Sequence, residues 1–426
     1  MTPQDAREPS WVPQVSRMSW WQRLWEPFWA VPCAMAVAAV AFGLGLPLVD
    51  ETVWPWAAVL FQGGPDSARS VLGTITSAMI SVTGLVFSVT MVVLQLASSQ
   101  FTPRVLGSFL DSRITQVTLG VFTGTFIYSL TVLRSVRGAA EGDDAFVPQL
   151  ATSAAYLLVV ASVGCFLAFI HHITMSIQVQ EVVARTLAAT TTTLDRMIPA
   201  EQHGTGRQGR PPRWSPSDEG TPTDVFAKAS DQRITDIDYR RIVSLAERHD
   251  VVVTIDKQVG DHVVTGVPVA QIQHAADAPV PDALMDDLRG LITLNRDRSL
   301  RQDVAFGLRQ LVDIAERALS PGINDPTTAT QAIDALHSIL RRAVQRPVPS
   351  GHAADGEGVT RLIYRPQSVE QLLELAFTEL AHWGSDSTRI PDCLREVLDD
   401  LGTVALPPYR GPIHRMRRLI DEKESR

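Results

Sequence analysis

From residue 72 to residue 99 the chain carries no charged side chain, and its polar and apolar positions separate at heptad spacing. Steps of three and four from Thr74 give Thr74, Ser77, Ser81, Gly84, Ser88, Met91, Gln95 and Ser98. The same steps from Leu72 give Leu72, Ile75, Met79, Val82, Val86, Val89, Val93 and Leu96. This spacing predicts one helix with two distinct faces. The apolar face suits lipid or a packed neighbour. The other carries hydroxyls, a glycine and an amide, which inside a membrane call for close helix contact or for water.

Three further stretches, 28–49, 114–133 and 150–173, join 72–97 as candidate membrane spans. Each approaches or exceeds the ~20 residues that cross the hydrocarbon of a bilayer. The first does not read as a signal peptide: a Trp-rich stretch precedes it and no small-residue cleavage site follows. Trp20, Trp21, Trp25 and Trp29 form an interfacial collar before it, and Trp54 with Trp56 form one beyond it. Gly63-Gly64-Pro65-Asp66 opens the second helix, and no breaker follows until Pro103. A helix over 66–101 is roughly 50 Å long, so it tilts or protrudes from the membrane. The third span holds Gly120 and Gly124, a small-xxx-small pair, beside Thr123, Thr125, Tyr128 and Ser129. The fourth ends at His171-His172. Adjacent residues diverge by about 100° on a helix, which favours interfacial histidines at the cytoplasmic mouth, with Arg104, over a shared metal.

Beyond residue 177 the chain turns hydrophilic. Helical spacing over 178–199 leads to a Gly-, Pro- and Arg-rich linker at 203–222. In 223–280, a strand at 251–255 and alternation around Gly260-Asp261 and Gly266 predict a small β module with a tight hairpin. The hairpin is similar to that of lipoyl- and biotinyl-type carriers, but no lysine stands at its tip, so no cofactor is expected. From Pro281 onward the pattern is helical. Asp325 is an N-cap with Pro326 at the first helical position, and Ser368 with Gln371 forms a capping box. The loop holding Ser320, Gly322, Asn324 and Asp325 reads either as a stiff connector or as an anion-recognition element using helix-start amides. The expected architecture is an interfacial segment (1–27), a four-helix transmembrane domain (28–177), an extension and linker (178–222), a β module (223–280) and a helical cytoplasmic domain (281–426).

Arginines at 7, 17, 23, 104, 113, 185 and 196 fall on one side of these spans. Arg69, Arg134 and Arg137 share the other side with Glu141, Asp143 and Asp144. The bias places both termini in the cytoplasm of a multi-pass protein. The net charge of −8 says little about partners beyond keeping the cytoplasmic part soluble, and no basic run suggests nucleic acid. The bilayer and further copies of the chain are the expected partners. Cys33, Cys165 and Cys393 have no metal or disulfide spacing. Asp303, Arg301, His337 and Asp325 lie near helix ends, but nothing in their spacing arranges an acid, a base or a nucleophile, so no enzyme is expected.

Several strings resemble a family of bacterial integral membrane proteins known as DUF2254. They are Gly84-Leu85-Val86-Phe87-Ser88, the run 96–104, Phe126-Ile127-Tyr128-Ser129-Leu130, Phe169-Ile170-His171-His172, the run 298–303 with Phe306-Gly307, and the run 318–326. Thr327 and Asp231-Gln232-Arg233 depart from the family's pattern. The resemblance implies a multi-pass protein of the bacterial plasma membrane and no known activity. Two functional expectations stand beside it. One is a homo-oligomeric channel lined by the second helix and gated by the cytoplasmic part; the other is a membrane-anchored sensor or scaffold.

Overall fold

The computed structural model describes residues 13, 25, 27–50, 61–100, 112–138, 146–176, 178–198, 222–228, 231–274 and 279–424. The Trp20-Trp21 and Trp54-Trp56 collars, Arg104 and most of the 203–222 linker lie outside these residues. The chain divides into two compact units, Met18–Glu181 and Met1–Arg17 with Val182–Arg426.

The first unit is a bundle of α1 (Ala30–Asp50), α2 (Pro65–Gln100), α3 (Arg113–Leu133) and α4 (Gln149–Ser176). All four are long and apolar enough to cross a membrane. Pro65 begins α2 without a backbone donor to lose, and the helix then runs unbroken for 36 residues, roughly 54 Å. The central helix is α3: it packs against α1, α2 and α4, and more than half of its span is buried. The small-xxx-small pair explains the α1 contact. A Cβ on Gly120 would come within 2.4 Å of Met35 Sδ, and one on Gly124 would meet the Met35 carbonyl at 3.6 Å. Leu72, Ile75, Met79 and Val86 of α2 close the core against Phe122, Tyr128 and Val132 of α3.

The second unit holds two sheets and a helical layer. One sheet, in order β1-β5-β3-β8-β7, contains β1 (Thr223–Phe226), β3 (Val252–Ile255), β5 (Pro268–Gln273), β7 (His352–Ala354) and β8 (Thr360–Tyr364). The other, in order β4-β2-β6, contains β2 (Gln232–Ile237), β4 (His262–Val263) and β6 (Ile292–Asn295). The helices are α5 (Val179–Met197), α6 (Tyr239–His249), α7 (Asp282–Gly290), α8 (Val304–Leu319), α9 (Pro326–Ala343), α10 (Val369–Trp383), α11 (Ile390–Val404) and α12 (Pro407–Glu424). A break at residue 280 does not match this topology. Strands β6, β7 and β8 lie in the stretch read as helical, and β8 pairs in parallel with β3. A parallel partner is met only after a long crossover and buries the strand on both faces, consistent with the unbroken run of Val251, Val252 and Val253.

The expected hairpin is also corrected, because β4 joins β2 whereas β5 joins β1 and β3. Gly260, at φ +95°, is required for another reason: a Cβ there would lie 2.6 Å from Asp303 Oδ2. Gly307 lets α5 approach α8, since a Cβ there would collide with Thr190 Oγ1. Pro412 lies inside α12.

Candidate functional site

The two faces of α2 take opposite environments. Leu72, Ile75, Met79, Val86 and Val93 are buried, with Val82 and Val89 half-buried beside them. Leu96, last in the apolar row, is exposed. Thr74, Ser77, Ser81, Gly84, Ser88, Met91 and Gln95 are all exposed. Ser98 lies within α2, but its side chain is outside the described residues. The polar row therefore plays no part in packing α2 onto its own bundle, and a Cβ on Gly84 would meet nothing within 4 Å. Apolar Ile80, Leu85, Phe87 and Val92 are exposed alongside it.

Part of this polarity is satisfied locally. Thr74 Oγ1 donates to the Ser70 carbonyl at 2.8 Å, and Ser81 Oγ donates to the Ser77 carbonyl at 3.0 Å. Such back-bonding lets a hydroxyl tolerate an apolar surrounding. A glutamine amide presents two donors and two acceptor sites, more than a back-bond to a carbonyl of its own helix can satisfy. Exposed Gln95 is thus the costliest member of the row to leave in hydrocarbon.

The polar side chains of α3 behave differently. Thr118, Thr125, Tyr128 and Ser129 are buried. Tyr128 donates its hydroxyl to the Ala151 carbonyl at 2.9 Å, and the Thr125 and Ser162 hydroxyls are 3.2 Å apart. His172 Nε2 lies 2.7 Å from Ser112 Oγ, the N-cap of α3, whereas His171 is exposed. The two rings diverge as the helical spacing requires, and His172 joins the end of α4 to the start of α3.

In the 320–326 loop, Asn324 adopts φ +48° and Asp325 caps α9. Asp325 Oδ1 accepts from the Thr327 and Thr328 amides, each at 3.1 Å, and Oδ2 accepts from the Thr328 hydroxyl at 2.6 Å. Hydrogen bonds from the Thr328 side chain and backbone hold the Asp325 carboxyl below its ordinary value. Those helix-start amides are already occupied. This local bonding fits the stiff-connector reading of Ser320, Gly322, Asn324 and Asp325, since Asp325 itself takes the Thr327 and Thr328 amides.

Two clusters escaped the sequence reading. Asp303, fully buried, takes Nε and Nη2 of Arg298 at 2.8 and 2.9 Å and the Gln367 amide at 2.8 Å. Burial pushes its carboxyl up against the pull of Arg298. Arg309 contacts Asp313, Glu316 and Glu379 at 2.7, 3.4 and 2.6 Å, joining α8 to α10. Burial and then hydrogen bonding to Glu379 push Glu316 up to about 8. The string 298–303 and the glycine at 260 stand out in the sequence for other reasons, and pairing with residue 367 has no local mark. The helix-end residues disperse as well. His337 faces Asp400 at 2.7 Å, Arg301 faces Asp236 at 3.7 Å, and Asp303 faces Arg298. Among the described residues, no three His, Cys, Asp or Glu side chains are grouped to hold a metal ion.

A family model described as "Predicted membrane protein (DUF2254)" matches residues 25–400. The chain is 31% identical over 392 residues to an uncharacterized protein of Mycobacterium bovis and, at the same identity, to one of Mycobacterium tuberculosis. Each alignment covers 90% of this chain and 73% of the relative. No solved structure matches.

Proposed function

Given that the chain belongs to the DUF2254 family of predicted membrane proteins, we propose that it is a homo-oligomeric conduit of the bacterial plasma membrane. The polar rows of α2 from several copies face one another along a shared path. The observation that carries this reading is the outward position of Thr74, Ser77, Ser81, Gly84, Ser88 and Gln95, on the side of α2 away from its own bundle. In a membrane such a row meets lipid, another protein surface or water. The Gln95 amide makes lipid the least favourable of these. Hydroxyls and a glutamine offer a permeant partial replacement for its hydration, and the absence of charge from 72 to 99 argues against strong charge selection in the span.

On this reading both termini lie in the cytoplasm. An even number of spans and the arginine bias support this. So does Pro13, which is buried beside Tyr239 and Tyr364 in the C-terminal unit and so ties the chain's beginning to that unit. The test is disulfide cross-linking between copies of single-cysteine variants, with Cys33, Cys165 and Cys393 replaced. Ser81→Cys and Ser88→Cys form intermolecular disulfides in membranes, and Phe87→Cys on the flanking apolar surface does not. Equal cross-linking at all three positions, or at none, contradicts the reading.

The alternative is a membrane-anchored sensor, for which the 320–326 loop offers little, since Asp325 takes the Thr327 and Thr328 amides. It needs a ligand site elsewhere in the C-terminal unit.

A further inference from the structure

A cleft of about 290 Å³ opens where the two sheets of the C-terminal unit meet α7. This is close to the lower end of the range for small-molecule sites. Its apolar lining comes from Val269 on β5 and from Ile292 and Leu294 on β6. Its polar lining is cationic in excess. Lys228 Nζ lies 3.1 Å from Asp286 Oδ1, and Arg289 Nη1 donates to the same oxygen at 2.7 Å. Arg289 Nε is held by the Phe226 carbonyl at 2.8 Å, which fixes the guanidinium plane at the cleft. Hydrogen bonds from Arg289 and then Lys228 hold the Asp286 carboxyl below its ordinary value, so it stays ionised at neutral pH. Two cations thus share one carboxylate, and the rim keeps one net positive charge. Arg289 Nη2 has no partner among the described residues, and the Lys228 ammonium keeps further donors.

We infer that this cleft binds a small organic monocarboxylate. The carboxylate sits on Lys228 and Arg289, and a short apolar chain covers Val269, Ile292 and Leu294. One excess positive charge matches one negative charge, and the apolar floor disfavours a bare inorganic anion, which would desolvate against it without gain. The inference rests on the sensor reading and is independent of the path along α2.

Equilibrium dialysis of radiolabelled hexanoate against the full-length protein in nanodiscs tests it, with empty nanodiscs as the blank and hexanamide as the uncharged competitor. Hexanoate binds saturably with Kd of about 1 mM or tighter, and hexanamide fails to displace it. Lys228→Met, at a side chain 72% exposed, leaves thermal unfolding unchanged and weakens binding about tenfold, the loss of one charge-assisted hydrogen bond. Asp286→Asn tightens binding severalfold by freeing both cations. Leu294→Trp fills the cleft and abolishes binding. No saturable uptake at 10 mM, displacement by hexanamide, or unchanged affinity in Lys228→Met would each overturn the assignment without touching the cross-linking result for α2.

Discussion

Helices α2 and α3 both carry hydroxyl side chains through a membrane-length segment, yet they place them in opposite directions. On α3 the polar atoms turn inward: Tyr128 reaches the Ala151 carbonyl, and Thr125 meets Ser162. On α2 the row from Thr74 to Gln95 turns outward, with Thr76, Thr83 and Thr90 half-buried beside it, while the apolar row faces α3. Polar residues in a span are therefore not by themselves evidence of a path. Those on α3 are enclosed within one chain, where Tyr128 and Thr125 find partners and the buried Ser129 hydroxyl has none. Those on α2 bond to their own helix or wait for something beyond the chain, and this is why α2 carries the functional reading.

The largest expected effect that sharpens this contrast comes from the glycines. Gly120→Leu forces side-chain atoms into Met35 and lowers the bundle's unfolding free energy by about 3 kcal/mol or prevents folding. Gly84→Leu meets open space within one chain, so unfolding of the monomer in detergent is unchanged, whereas cross-linking between copies falls. Equal damage from the two would erase the distinction between the helices.

The hydroxyls follow at a smaller scale. Tyr128→Phe and Thr125→Val each cost about 1 kcal/mol, the ordinary net worth of one buried hydrogen bond. Ser81→Ala and Ser88→Ala stay within about 0.5 kcal/mol on the same measurement, as outward substitutions do.

Carboxylates of the C-terminal unit extend the inward and outward contrast to pH. Glu316, raised from 4.5 to about 8, favours the folded state most when protonated. Its contribution is complete below about 4.5 and is lost as pH rises through about 8, so Glu316→Gln flattens the decline of stability over that window. Asp325 is shifted the other way. Its contribution is present above the ordinary carboxylate value and is lost as pH falls through its lowered one. Asp325→Asn keeps the cap, costs a few tenths of a kcal/mol at neutral pH and removes that acid-side loss. Thermal unfolding across pH checks both.

What the sequence makes legible here is whatever repeats locally. The two rows of α2, the Gly120–Gly124 contact and the Asp325 and Ser368 caps depend on spacings of a few residues, and each is found in the fold. Hydrophobic period alone does not say which row of α2 turns inward, because apolar side chains suit both lipid and a neighbouring helix. The pairing of β3 with β8 joins residues more than a hundred positions apart, which no local pattern encodes. Gly260 reads as a turn residue from its neighbours, but it is demanded by Arg298 and Asp303, far along the chain. The cationic cleft is equally illegible in advance, since Lys228, Asp286 and Arg289 converge only once both sheets have formed.

The central claim, that the outward row of α2 borders water, is tested most directly by thiol accessibility. Ser81→Cys and Ser88→Cys, each in a cysteine-free background and in intact membranes, are exposed to a membrane-impermeant thiol reagent. The account predicts that both react, while Phe87→Cys on the adjoining apolar surface is protected. Complete protection of Ser81→Cys and Ser88→Cys would contradict it and reduce the row to a dry contact between helices.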